Sequence, residues 1–200
     1  MSAPGWPVEL RDGAVGLRPI RRRDAAPWRE MRARNARWLG PWEATPPDPS
    51  APSVSFGGTV RFLLAEARAG RAMPLVVTWD GALVGQVTVS GITRGSLCSA
   101  QIGYWVDQGH AGRGVIPTAV ALTVDHCFGA GGLHRIEVNI RPENAASLRV
   151  VDKLGFRDEG LRRRLLHIDG DWRDHRSFAM LREDVPEGLL TRWKRAQAQR

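Results

Sequence analysis

The alternation of apolar and polar positions divides the chain into short helices and strands. Val15-Gly-Leu-Arg-Pro-Ile20 reads as a first strand. Asp24 stands where an N-cap belongs, ahead of a helical stretch carrying Trp28, Met31 and Arg32. Pro27 is compatible with that helix because it falls in the first turn. Trp38-Leu-Gly-Pro-Trp-Glu43 and the proline-rich run to Pro52 follow. They hold too many aromatics for a linker and too many prolines for a helix, so an irregular segment is predicted. From Val54 to Arg68, the positions Phe56, Val60, Leu63, Leu64 and Ala67 recur at the spacing of an amphipathic helix.

The middle of the chain turns to strands. Met73 to Trp79 and Ala82 to Ile92 flank Asp80-Gly81, a hairpin turn signal, and Cys98 to Val106 forms the next strand. A helix runs from Gly114 to Phe128. In Arg135 to Ile140, Ile136, Val138 and Ile140 share one face of a strand. Asn144 to Leu154 is a short helix that Gly155 stops. Strands at Leu161 to Ile168 and Trp172 to Leu181 meet at Asp169-Gly170-Asp171. This order describes one mixed α+β domain over residues 1–183, with a central twisted mixed sheet of six to seven strands and helices on both faces. Residues 184–200 read as a polar, basic tail that frays or forms a short helix.

Composition narrows the classes. At 200 residues, 42% hydrophobic and 25% charged, the chain is an ordinary globular sequence. No apolar run approaches the ~18 residues of a membrane span, and the first ten residues lack a secretory pattern, so a cytoplasmic protein without a membrane partner is expected. Cys98 and Cys127 have no metal-ligand spacing and read as free thiols, and no metal is expected. The net charge of +8 and pI near 11.0 raise nucleic acid as a partner. The excess is mostly arginine interleaved with acids, with lysine only at Lys153 and Lys194, and lacks the concentrated stripe of a nucleic-acid binder. A surface that attracts an anionic cofactor, or an acidic or ribosome-associated substrate, is the better reading.

The chemistry sits in Gly103-Tyr-Trp-Val-Asp-Gln-Gly-His-Ala-Gly-Arg-Gly-Val-Ile-Pro-Thr118, a strand entering a loop with Gly109, Gly112 and Gly114 and then a helix. The first N–H groups of a helix have no intrahelical acceptor, and with the helix dipole they favour an anion such as a diphosphate. Pro117 fits the first turn, which has no N–H bond to lose. The Gly-Lys-Ser/Thr of a Walker A loop is missing, as is the acid a dinucleotide fingerprint carries ~20 residues downstream. Downstream stand Asn144-Ala-Ala-Ser147 and Lys153-Leu-Gly-Phe156, then Glu159-Gly160 and Asp169-Gly170-Asp171-Trp172.

With these motifs the chain, over roughly residues 10 to 183, resembles the GNAT superfamily of acyl-CoA N-acyltransferases. The Gly112-Arg-Gly114 loop looks like that family's diphosphate motif. Trp38 to Trp42 and the late strands are similar to the RimJ/RimL branch, which acetylates protein N-termini. The resemblance implies acetyl-CoA as acyl donor, with no metal, and a splayed strand pair, Cys98–Val106 and Arg135–Ile140, that admits the pantetheine. Tyr104, Trp105 and Val106 would then supply main-chain contacts. His110, Ala111, Gly112, Arg113, Gly114 and Val115 would hold the diphosphate, and Asn139, Asn144, Ser147 and Lys153 would lie along the rest of CoA. Gly109 departs from the Gln or Arg often found there, a loss for which Arg113 can compensate. The resemblance also implies a capacity to form a homodimer.

The acceptor is expected to be a protein N-terminus, with a small amine as the alternative and a non-catalytic acyl-CoA-binding module as a further one. An alkyl ammonium of pKa ~10 needs a base, and an α-amino group of pKa ~8 needs less help. Glu137, Glu43 and His134 are candidates for that base, Glu137 being the first choice, while His167 reads as structural. The family commonly supplies a tyrosine beyond the Asn-bearing helix as acid. Tyr104 is the only tyrosine in this chain, so Ser147 is the candidate acid. Trp42 and Glu43 are expected to shape the substrate pocket.

Overall fold

A computed structural model describes residues 3–48, 50 and 54–199; part of the proline-rich run and Arg200 lie outside them. Eight strands form the sheet: β1 (Leu10–Asp12), β2 (Val15–Pro19), β3 (Met73–Trp79), β4 (Ala82–Thr93), β5 (Ser99–Val106), β6 (Arg135–Ile140), β7 (Arg157–Ile168) and β8 (Asp171–Leu181). Their order is β1-β2-β3-β4-β5-β6-β8-β7, antiparallel except between β5 and β6. Among the described residues six α-helices accompany them: α1 (Ala25–Arg34), α2 (Ala36–Leu39), α3 (Phe56–Arg68), α4 (Val115–Phe128), α5 (Ala145–Leu154) and α6 (Leu189–Ala198).

The sheet is covered on both faces. In β3, Met73, Leu75 and Val77 join the main core with α4, α5 and α6, while Val76 packs with Ile20 and with Val60 of α3 on the other side. That is why β3 is an almost continuous apolar run. β4 is half-committed: Val87 and Val89 enter the main core, and Gln86 and Thr88 face the side that carries α1. The hairpin turns form where the sequence places them. Asp80 and Gly81 have φ of 47° and 86°, and Asp169 and Gly170 have 50° and 77°, the left-handed pairs that a two-residue hairpin turn needs.

Three expectations are revised. The sheet gains β1, a three-residue strand too short for a periodicity argument, and so exceeds six to seven strands. Asp24 makes no side-chain cap on α1; its carboxylate instead takes two bonds from Arg18, at 2.8 and 2.9 Å, and one from the Arg21 N–H at 2.7 Å. Trp38 to Trp42 is not irregular, because α2 and a 3-10 turn at Gly40–Trp42 run through it.

The C-terminal segment takes the helical form. In α6, Leu189 and Trp193 are buried in the main core, each burial worth about 1.5–3 kcal/mol. The Trp193 indole donates to Thr118 Oγ1 on α4 at 3.0 Å. Asp125 of α4 accepts from the Leu189 and Leu190 N–H groups at 2.6 and 3.0 Å, supplying the N-cap that Gly188 cannot.

Candidate active site

Among the described residues, the one parallel pairing in the sheet is also short. β5 and β6 pair only at Ser99 to Gln101 against Arg135 to Glu137, and beyond those residues the two strands separate. The second half of β5 therefore has one free edge. The Asp107 N–H bonds to Val84 of β4 at 2.8 Å, and strand residues alternate sides, so Val106 and Tyr104 turn their main-chain groups to the opening. The Val106 carbonyl there accepts the Trp38 indole N–H at 3.2 Å. Gly85 makes this crossing of β4 and β5 possible, since a Cβ at that position would lie 2.4 Å from the Trp105 carbonyl oxygen.

A cavity of about 850 Å³ opens at the separation, within the size range of small-molecule and cofactor sites. One wall is the loop into α4. Gly112 and Gly114 have φ of 79° and 78°, and a Cβ on Gly112 would meet nothing within 4 Å, so the backbone is open to approach. No side chain caps α4, and its first N–H groups are left to whatever occupies the cavity. An uncapped, glycine-lined helix start suits a diphosphate, so the residues present fit CoA.

The loop is tied down from below. Asp107, 6% exposed, accepts from the Asn35 amide at 2.6 Å, the His110 ring at 3.0 Å and Arg34 Nε at 3.2 Å. Asn35 Oδ1 in turn accepts the Gln108 N–H at 2.9 Å. Burial alone would raise the Asp107 carboxyl, but the bonds from Arg34, Asn35 and His110 outweigh it and bring the pKa down to about 2.

The structure brings most of the sequence candidates together. Tyr104, Trp105, Val106, His110, Ala111, Gly112, Gly114, Val115, Asn144, Ser147 and Lys153 line the cavity, as do Trp42 and Glu43. Asn144 caps α5 by accepting the Ser147 N–H at 3.1 Å, and the Tyr104 hydroxyl donates to the Ser147 carbonyl at 3.3 Å. Burial holds the Tyr104 phenol above its ordinary pKa.

Four candidates, Arg113, Asn139, Glu137 and His134, stand elsewhere, as does His167. Arg113 is exposed outside the cavity lining. Asn139 accepts from the Ser177 hydroxyl at 2.6 Å and donates to Gln101 at 3.3 Å. Glu137 lies on the paired half of β6, held by Arg135 at 2.7 Å and Arg162 at 3.9 Å, and does not line the cavity. His134 pairs with exposed Glu183, and His167 bonds Thr45 at 2.9 Å.

Opposite the loop stands a group that sequence reasoning passed over. Arg32 of α1 ion-pairs with Glu43, and its guanidinium lies 5.3 Å from the centre of the Trp28 ring and 5.4 Å from that of Trp105. Trp28 and Arg32 are four apart on a helix and share a face, which was the available signal. Behind Glu43, Arg141 stacks on Trp42 at 5.5 Å and donates to the Pro41 carbonyl at 2.8 Å, fixing the 3-10 turn. Among the described residues no group of three or more His, Cys, Asp or Glu could hold a metal, and no helix is long and apolar enough to cross a membrane.

A mixed sheet opened between two parallel strands, with an uncapped glycine loop and helix at the opening, defines an acyl-CoA acyltransferase fold. Comparison with known proteins agrees. The Acetyltransferase (GNAT) domain family matches residues 14–157, and the chain belongs to the GNAT acetyltransferase family. RimJ of Mycobacterium smegmatis, solved in complex with CoA-disulfide, superposes with a TM-score of 0.90 at 42% identity, covering 98% of this chain and 97% of that one. The probable N-acetyltransferase YjcK of Bacillus subtilis is 44% identical over 105 residues, 52% of this chain and 58% of that protein, so the chain aligns with little more than half of that relative's length. The ribosomal protein uS5-alanine N-acetyltransferase of Escherichia coli is 27% identical over 183 residues, 90% of this chain and 94% of that protein. The chain is thus an acyltransferase related to the ribosomal-protein acetyltransferases.

Proposed function

We propose that this enzyme transfers the acetyl group of acetyl-CoA to the N-terminal α-amino group of a protein, of the ribosomal-protein-alanine kind, in the cytoplasm. The observation that carries the reading is that one continuous cavity holds the donor loop and Glu43 together. The full-length similarity to the Escherichia coli enzyme supports the choice of acceptor.

Acetyl-CoA supplies a thioester, and the chain's residues do the rest. The N–H groups from Gly112 into α4 hold the diphosphate, and the free edge of β5 orients the pantetheine. The Val106 N–H meets the negative charge that develops on the thioester oxygen. Glu43 accepts the proton the amine sheds as its nitrogen forms the new C–N bond. The C–S bond breaks, and the Ser147 hydroxyl, on the first turn of α5, gives its proton to the departing sulfur and regains one from water, to which Glu43 returns the proton it took. Glu137 falls outside this scheme because it does not line the cavity, whereas Glu43 does.

The test is calorimetric titration with acetyl-CoA, with NAD as control, followed by mass spectrometry of an Ala-initiated peptide incubated with both. Micromolar binding of acetyl-CoA and a peptide acetylated on its α-nitrogen is the expected result. Failure of acetyl-CoA to bind would overturn the proposal.

A further inference from the structure

The acceptor half of the cavity holds a charge pair that the transfer reaction alone does not require. Arg32 and Glu43 form an ion pair inside the cavity, with side chains only 23% and 36% exposed. The aromatic setting fixes the arginine. Its guanidinium contacts the faces of Trp28 and Trp105, whose rings meet edge to face at 6.4 Å. Trp28 is anchored by its indole N–H to Gln86 Oε1 at 3.3 Å, and Gln86 by its amide to Thr88 at 2.9 Å. Burial lowers the Arg32 pKa from its ordinary value, yet a guanidinium keeps its charge at neutral pH.

We infer that the Arg32–Glu43 pair is a recognition site for an α-amino carbonyl unit, with the ammonium or amine taken by Glu43 and the neighbouring carbonyl oxygen by Arg32. This rests on reading the cavity as the acceptor site. A fixed cation beside an anion complements a group that carries its own positive nitrogen next to a negative oxygen. Such a unit enters between the two side chains and replaces their mutual bond with one bond to each. A plain alkylamine engages Glu43 but offers Arg32 nothing, leaving a half-buried guanidinium without its partner. Sites built around a polar contact reject substrates that lack it far more strongly than apolar pockets reject a missing methylene. The same unit occurs in a polypeptide N-terminus and in a free amino acid, and the assay separates the two.

The experiment measures kcat/KM with saturating acetyl-CoA for four acceptors: an Ala-initiated tripeptide, alaninamide, free alanine and isopropylamine, which has the shape of alanine without its carbonyl. Wild type is compared with Arg32→Met, which keeps the apolar stem, and Arg32→Lys, which keeps the charge but loses the planar fork. The readout is the alaninamide-to-isopropylamine ratio of wild type divided by that of the variant, so the different basicities of the amines cancel. Arg32→Met is expected to raise that quotient to roughly 10 to 100, through KM for the carbonyl-bearing acceptors. Arg32→Lys falls between, and acetyl-CoA affinity is unchanged. Tripeptide over free alanine assigns a polypeptide end, and the reverse assigns an amino acid. An equal loss for alaninamide and isopropylamine in Arg32→Met would make Arg32 a structural stay and overturn the inference.

If no acceptor is acetylated at all, the proposed transfer fails, and calorimetry of alaninamide against isopropylamine on the CoA-bound protein still decides the pair. Preference for alaninamide that Arg32→Met abolishes upholds the recognition site. Equal binding of the two amines, or binding of neither, overturns it.

Discussion

The Asn35 side chain donates to the Asp107 carboxylate at 2.6 Å, joining the end of α1 to the end of β5 at the point where the cofactor loop begins. Through Asn35 Oδ1 and the Gln108 N–H the same residue also holds the loop backbone. The helix that carries Trp28 and Arg32 is thus tied by side-chain bonds to the glycine loop at the cavity. Asp107→Ala leaves Arg34, Asn35 and His110 without their acceptor. It is expected to cost about 2–3 kcal/mol in stability and to weaken acetyl-CoA binding as well. Chemical denaturation and calorimetry measure the two losses, and a stability loss with unchanged acetyl-CoA affinity would uncouple the network from the loop.

The same carboxylate sets an acid limit. Its folded pKa of about 2 lies below the ordinary value of 3.8, so the native state holds the ionised form more tightly than the unfolded chain does. Its contribution, about 2 kcal/mol, is complete above about pH 4 and is lost as the pH falls toward about 2. The stability gap between wild type and Asp107→Asn is expected to be full at pH 6 and to narrow below pH 4. Urea midpoints across that range read it directly.

A carboxylate at Gly112 tests the diphosphate site. Asp and Asn tolerate left-handed backbone about equally well, so Gly112→Asp and Gly112→Asn share the cost of φ 79° and differ in charge. Both variants are expected to fold. The Asp variant should lose acetyl-CoA binding by on the order of 100-fold relative to Asn, as repulsion replaces the attraction of the helix start. Equal affinities would place the diphosphate elsewhere.

Glu43→Gln and Ser147→Ala test the two proton-handling roles. An α-amine of pKa ~8 is partly neutral already, so loss of a base is expected to cost about 100-fold in kcat/KM at pH 7 and less at pH 9. Ser147→Ala is expected to lower kcat more than it weakens acetyl-CoA binding. Stopped assays across pH, paired with calorimetry, distinguish these outcomes from general damage.

Gly85→Ala sets a Cβ against the Trp105 carbonyl oxygen, a main-chain atom that cannot swing aside. A destabilisation of about 1–3 kcal/mol is expected, read by thermal melting, because β4 and β5 must part at the edge that faces the cavity.

The fold was legible wherever side-chain periodicity was strong. Arg135 to Ile140 alternates cleanly and became β6, and Gly155 ends α5 with φ 69° as a left-handed cap should. The glycine loop along the cavity was legible for a different reason: glycine spacing before a helix is a local property of the chain. The opposite wall was not. Arg32 meets Glu43 and Trp105 only after α1 folds against β4 and β5, and no local pattern encodes that meeting. Glu137 lies outside the cavity lining for the converse reason. Its strand was right, but the face and the half of the strand that open to the cavity depend on where β5 and β6 part company.

The helix at the carboxyl end gives the chain an unexpected dependence. Trp193 reaches Thr118 in the first turn of α4, and Gln197 lies 3.2 Å from where a Cβ on Gly114 would sit. Trimming residues 188–199 as though they were dispensable would strip the backing from the donor loop. An apparently inactive shortened enzyme would then report the loss of a buttress, with every residue that lines the cavity still in its sequence.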